Sequence, residues 1–309
     1  MRRQEPRTVT PESHGHGVAS YGDGLVLSAI DGPLAVLTLN RPFRRNALDR
    51  EMLVSLRDAL ADLRDDTQVT VVTLTGAGSS FCSGVDISTE GRRTFYQPPQ
   101  QIERLYQEHG QDVVRALHTL PQVTIAAVNG PAVGWGACLT TCCDFRLLAR
   151  EAFFRIPEIG FGMYYDVGCL YGLLALVGPA LAKRMTMLGD DIDASEALRI
   201  GLADRVVPSA DLPAAAEQMA LSLLRHDPVT LRNAKRQIHA ATVARKRPLG
   251  LTELEITTAY YAANMDRFEG LAASKEGRMP LFSREQEAGT LTLPLSRGEG
   301  GTGYGFSPD

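Results

Sequence analysis

VTIAAVNGPAVGWGACL, residues 123–139, opens as a short apolar run of strand length and closes as the first turn of a helix. The Asn-Gly-Pro between them stops the strand, and the small residues beyond it let a helix start close by. The same layout recurs upstream. VTVVTLTG (69–76) leads into GAGSSFCSGVDI (76–87). PLAVLTLN (33–40) leads into a helical stretch in which Leu48, Met52, Leu56, Leu60 and Leu63 recur every three or four residues and form one apolar face. A second helix is expected over 101–120, with Ile102, Leu105, Val113 and Leu117 inward. Strand–helix alternation predicts an α/β fold built with crossovers. After Asp211 the pattern is almost wholly helical (212–224, 229–241, 254–268), so a helical C-terminal part is expected to pack on the α/β core.

Outward from this centre the chain divides into four. Residues 1–24 are polar and rich in Gly, Ser and Pro and read as a flexible arm; 25–208 form the α/β core. Residues 209–283 form the helical region, and 284–309 read as a disordered tail. The 309 residues suffice for one large core or two modest ones. Lys and Arg number 32 against 36 Asp and Glu, a net charge of −4, which argues against a nucleic-acid partner. No apolar run reaches the roughly 18–20 residues that span a bilayer. The five cysteines, Cys82, Cys138, Cys142, Cys143 and Cys169, sit mostly in apolar stretches and read as reduced, buried thiols. With the Ala, Arg, Leu and Gly usage and no clear address, they point to a bacterial cytoplasm.

Two Gly-rich strand-to-helix turns, 76–87 and 129–139, carry the first chemical signal. Such turns expose backbone N–H groups that seat an anion, and two meeting at one point make an oxyanion hole. Each alone is equally what tight strand–helix packing requires. Neither has the GxGxxG order or the Gly-Lys-Ser/Thr ending of a nucleotide site. FRIPEIGFGMYYDV, 154–167, holds Glu158 and Asp166 eight residues apart in apolar and aromatic surroundings, a setting that raises carboxylate pKa values. The competing reading makes Glu158 a capping or ion-pairing residue and Asp166 the cap of the next helix. Tyr164 and Tyr165 lie between them, lining a pocket or simply packing. The six histidines are scattered and no His/Cys pair has ligand spacing, so no metal is expected.

Taken in order, LNRP…RNALD, TGAGSSFCSGVDI, VNGPAVGWG, FFRIPEIGFG and ASEALRIGLADRVVP resemble the enoyl-CoA hydratase/isomerase (crotonase) superfamily over about residues 24–273. The resemblance implies a spiral of ββα units with a helical C-terminal trimerisation region, a homotrimer or hexamer, and CoA-thioester substrates. It implies no cofactor beyond the CoA carried by the substrate. The oxyanion N–H groups fall on Val85 and on Trp135, where a glycine is usual. Arg45, Ala47, Ser83 and Gly84 fall on the CoA-binding edge. Asp86, Ile87, Gly134, Cys138 and Tyr165 fall on the surrounding substrate site.

The catalytic positions discriminate further. Hydratases of this family hold water between two glutamates; the second matches Glu158, and the first position is occupied here by Cys138. Asp166 resembles the aspartate of the dienoyl-CoA and delta-3,delta-2-enoyl-CoA isomerases. The dehalogenase branch carries a tryptophan where this chain has Glu158. The resemblance therefore implies a double-bond isomerase of unsaturated acyl-CoA thioesters, with Glu158 and Asp166 as the catalytic pair. A hydratase or C–C hydrolase, an enzyme acting on an acyl-carrier-protein thioester, and a catalytically silent acyl-CoA-binding protein stay open beside it.

Overall fold

Asp49 starts the first helix: its carboxylate accepts the Met52 amide at 2.9 Å and satisfies one of the orphan donors of α1 (Arg50–Asp65). Leu48, Met52, Leu56, Leu60 and Leu63 are all 0–1% exposed, the apolar face expected from their spacing. In this computed structural model, which describes residues 17–88, 106–163, 165, 168–244 and 266–280, α1 covers one face of a seven-stranded sheet. Its strands are β1 (Gly17–Tyr21), β2 (Val26–Asp31), β3 (Leu34–Leu39), β4 (Val71–Gly76), β5 (Val123–Val128), β7 (Phe145–Ala149) and β10 (Arg205–Val207), in that spatial order. The first three are antiparallel neighbours and the rest run parallel to β3. β6 (Ala132–Val133), β8 (Phe153–Arg155) and β9 (Ile192–Asp193) form a small second sheet.

The remaining helices are α2 (Asp112–His118), α3 (Trp135–Thr141), α4 (Cys169–Lys183), α5 (Ala194–Arg199), α6 (Leu212–Leu223), α7 (Pro228–Ala244) and α8 (Asp266–Glu276). The expected α/β core followed by a helical part is what the structure contains. Three boundaries are corrected. Residues 17–21, placed in the arm, form β1, because their backbone completes the antiparallel edge of β2. The single helix expected over 101–120 is, in its described part, a π-helical turn (Tyr106–Gln111) followed by α2; Val113 and Leu117 point inward, while Ile102 and Leu105 lie outside the described residues. Of the helix expected over 254–268, only the end falls within the described residues, where α8 runs on to Glu276. The tail from 284 lies outside the described residues. Among the described residues no helix is long and apolar enough to cross a membrane.

α7 is fastened to the sheet by charge. Lys235, 8% exposed, places its ammonium 2.7 Å from Asp144 and 2.8 Å from the Gln122 carbonyl. Asp144 also accepts the Thr124 amide and hydroxyl, and His239 of α7 approaches to 3.6 Å. Burial opposes ionisation of Asp144, but His239, Lys235 and Thr124 outweigh it and hold its pKa at about 2.

Candidate active site

Register brings the two Gly-rich turns together. Leu39 pairs with Gly76, Thr75 with Ala127 and Val128 with Leu148 in parallel ladders, so β3, β4 and β5 release their chains side by side at one edge. Segment 40–47 is then tied across the turn after β4. Asn46, fully buried with φ +56°, donates from Nδ2 to the carbonyls of Ala77 (2.9 Å), Ser80 (2.8 Å) and Phe81 (3.2 Å). Its Oδ1 accepts the Arg41 amide at 2.8 Å. Beyond it the two segments zip: Ser83 N to Arg45 O at 3.0 Å, Leu48 N to Gly84 O at 2.7 Å, Asp86 N to Leu48 O at 3.0 Å. Arg45, Ala47, Ser83, Gly84 and Asp86 thus come together along one strip. Asp86 is buried, yet the Ser88 amide and Arg41, 2.6 Å away, outweigh the desolvation and keep its pKa below the usual carboxylate value.

The turn after β5 docks on this strip. Val133 N donates to Cys82 O at 2.9 Å, and Gly134 N to Arg155 O at 2.8 Å. Gly84, with φ +83°, has no room for a side chain: a Cβ there would lie 2.8 Å from the Val133 carbonyl and 3.4 Å from the Trp135 amide nitrogen. A Cβ on Gly136 would likewise collide with the Cys82 carbonyl. These close approaches set the backbone of Val85, part-buried, beside that of Trp135, the first residue of α3. The Trp135 side chain is buried.

Glu158 faces the same point from a third segment. It heads a 3₁₀ turn (Glu158–Phe161), and a Cβ on Gly134 (φ +53°) would sit 2.5 Å from its Oε1. Its Oε2 is sealed from solvent with no hydrogen-bond partner among the described residues, and burial pushes the pKa up to about 7. Tyr165 is buried and Ile87 is 36% exposed. Asp166 and Tyr164 lie outside the described residues, so the pairing expected of Glu158 and Asp166 rests on sequence.

The cysteines require a correction. Cys138 of α3 and Cys169, the first residue of α4, are joined in a disulfide, each 0% exposed; Cys82, Cys142 and Cys143 are free and buried. The expectation of five reduced thiols fails because packing of α3 on α4 closes a gap of 31 residues in sequence that no spacing rule announces. Two further residues escaped the sequence reading. Asn46 and Arg41 both stand inside quoted motifs, and the signal that would have found Asn46 is a buried amide next to a Gly-rich turn. Among the described residues no group of three or more His, Cys, Asp and Glu is placed to hold a metal ion.

The Enoyl-CoA hydratase/isomerase family model matches residues 29–285. A probable enoyl-CoA hydratase of Mycobacterium bovis is 34% identical over 279 residues, 86% of this chain and 96% of its own length. An enoyl-CoA hydratase structure from Mycobacterium avium subsp. paratuberculosis superposes with a TM-score of 0.70 at 27% identity, covering 88% of this chain and 100% of that one. A monofunctional enoyl-CoA isomerase structure from M. smegmatis superposes with a TM-score of 0.61 at 34% identity, covering 72% and 95%.

Proposed function

Because the chain belongs to the enoyl-CoA hydratase/isomerase family, we propose that it moves a double bond along an unsaturated acyl-CoA thioester. The Val85 and Trp135 amides hydrogen-bond the thioester oxygen and acidify the protons on the neighbouring carbon. Glu158, with a pKa of about 7, is poised to take one of them near neutral pH. The electron pair passes into the conjugated enolate. A proton then returns at the far end of the conjugated system, two carbons on for a 3-enoyl chain and four for a 3,5-dienoyl chain, with Asp166 as the second carboxylate. No oxidant, metal or added water enters this balance. Arg45, Ala47, Ser83, Gly84, Asp86 and Ile87 lie along the strip proposed to hold the CoA arm.

The observation that supports isomerisation over hydration is Cys138. It stands where a hydratase of this family has its other glutamate, and its sulfur is consumed in a bond to Cys169. Hydration stays as a second reading, because several of the similar proteins are named hydratases. Absorbance of the 2,4-dienoyl chromophore formed from a 3,5-dienoyl-CoA tests the choice. The expected result is signal from the wild type and loss in both Glu158→Gln and Asp166→Asn. Water addition to a 2-enoyl-CoA without any chromophore from the dienoyl substrate would reverse the assignment. The cytoplasm and a homotrimer or hexamer remain part of the proposal, and size-exclusion chromatography with light scattering reads the oligomer.

A further inference from the structure

The Cys138–Cys169 bond lies on a seam between two elements rather than within one. Cys138 is the fourth residue of α3, the helix whose first residue is Trp135; Cys169 is the first residue of α4, entered through Gly168 at φ +82°. Their Cα atoms are 4.9 Å apart. One turn further along both helices the contact repeats: Gly172 approaches Thr141 so closely that a Cβ would lie 2.8 Å from its Oγ1 and 2.9 Å from its carbonyl. The two contacts advance in the same direction, 138 to 141 and 169 to 172, so α3 and α4 run alongside one another and the sulfurs close the end of the seam nearest the catalytic turn. Cys142 caps the C-terminal end of α3 and Cys143 follows it, and Cys82 lies under Gly136, yet these three stay free.

We propose that Cys138–Cys169 is a reversible redox modification site that sets the competence of the acyl pocket. Bonded, it pins α3 and holds the Trp135 amide at the oxyanion position; reduced, α3 loosens and turnover falls. In the forward step two S–H bonds break and one S–S bond forms. The two electrons and two protons pass to a peroxide, which becomes two hydroxyl-bearing products, two waters in the case of hydrogen peroxide. In the reverse step a dithiol closes to its own disulfide and returns a hydrogen to each cysteine. Rigid placement of an oxyanion donor is worth this device, since displacements near 1 Å cost roughly 100-fold in rate.

Trp135 is the only tryptophan of the chain and stands three residues from Cys138, so its fluorescence reports the seam without any substrate. The full-length protein is treated with dithiothreitol, then with hydrogen peroxide, and followed by thiol titration in denaturant, by Trp135 emission maximum and by turnover of a 3,5-dienoyl-CoA. The expected result is three thiols rising to five on reduction, a shifted emission maximum, and roughly ten-fold or greater loss of turnover, all reversed by peroxide. Cys138→Ala and Cys169→Ala, made separately, are expected to show the reduced-state emission and no response to either reagent. Five thiols after peroxide, or a bond that breaks with emission and turnover unchanged, would overturn the proposal. Turnover rests on the isomerase reading but the thiol count and emission do not. A wrong substrate assignment thus shows as absent turnover beside an intact fluorescence switch.

Discussion

Gly134 and Glu158 share one volume: the place a Cβ would take on Gly134 lies 2.5 Å from Oε1 of the carboxylate. The left-handed φ of +53° at Gly134 and the seat of Glu158 are therefore one requirement, met only by a residue without a side chain. Gly134→Ala is expected to displace the carboxylate toward solvent. Turnover should fall by about 100-fold, and the pH at which activity is half-maximal should drop toward the ordinary carboxylate range. A pH–rate profile checks both.

The raised pKa of Glu158 has a stability consequence of definite sign. Below about pH 4 the carboxyl is protonated in both folded and unfolded chains and contributes nothing. Between the ordinary carboxylate value and about 7 only the unfolded chain ionises, so stability falls as pH rises and stays lower above 7. Glu158→Gln is expected to be more stable than the wild type at pH 8, on the order of 2 kcal/mol, with no difference near pH 4. Urea unfolding at the two pH values measures it.

Asp144 runs the other way. Its pKa is depressed to about 2, so the stability it supplies is present above its ordinary value of about 4 and is lost as pH falls toward 2. Asp144→Asn leaves the buried Lys235 ammonium of α7 without its counter-charge. The expected cost is about 3–5 kcal/mol at pH 7, shrinking as pH approaches 2, read from denaturant midpoints.

Asn46→Ala removes the donor shared by the Ala77, Ser80 and Phe81 carbonyls and the acceptor for the Arg41 amide. A loss of about 2–3 kcal/mol is expected. Because the same knot holds Arg45 and Ala47 against Ser83, the KM for a CoA thioester should rise more than kcat falls. Steady-state kinetics with a CoA thioester separates the two.

How much of this was legible depended on whether the determining contact was periodic or local. The apolar face of α1 repeats every turn, and the runs ending at Gly76 and Gly130 carry their own stop signals, so both were readable as an α/β pattern. Glu158 was readable as a carboxyl in apolar company, and its burial raises its pKa as that company suggests. Cys138 and Cys169 were not, since 31 residues separate them and nothing periodic links them. Nothing in the sequence around Lys235 marks it; the packing of α7 against β5 is what carries its ammonium to Asp144. β1 failed for a different reason. Its residues have weak strand preference and are ordered by the open edge of β2.

From β2 to β7, each strand of the large sheet pairs with the one laid down just before it in that sheet, with β10 added at the far edge. Each wind of the spiral thus has its template in place when its own strand emerges. Ladder contacts between β3 and β4, or β4 and β5, span only some 37 and 52 residues in register, Leu34 to Val71 and Val71 to Val123. A nascent chain can settle one wind at a time, and by β8 it has already laid down both Gly-rich turns and is about to deliver Glu158. The C-terminal helices α6, α7 and α8 all follow in the chain, so they emerge after the segments of the proposed site.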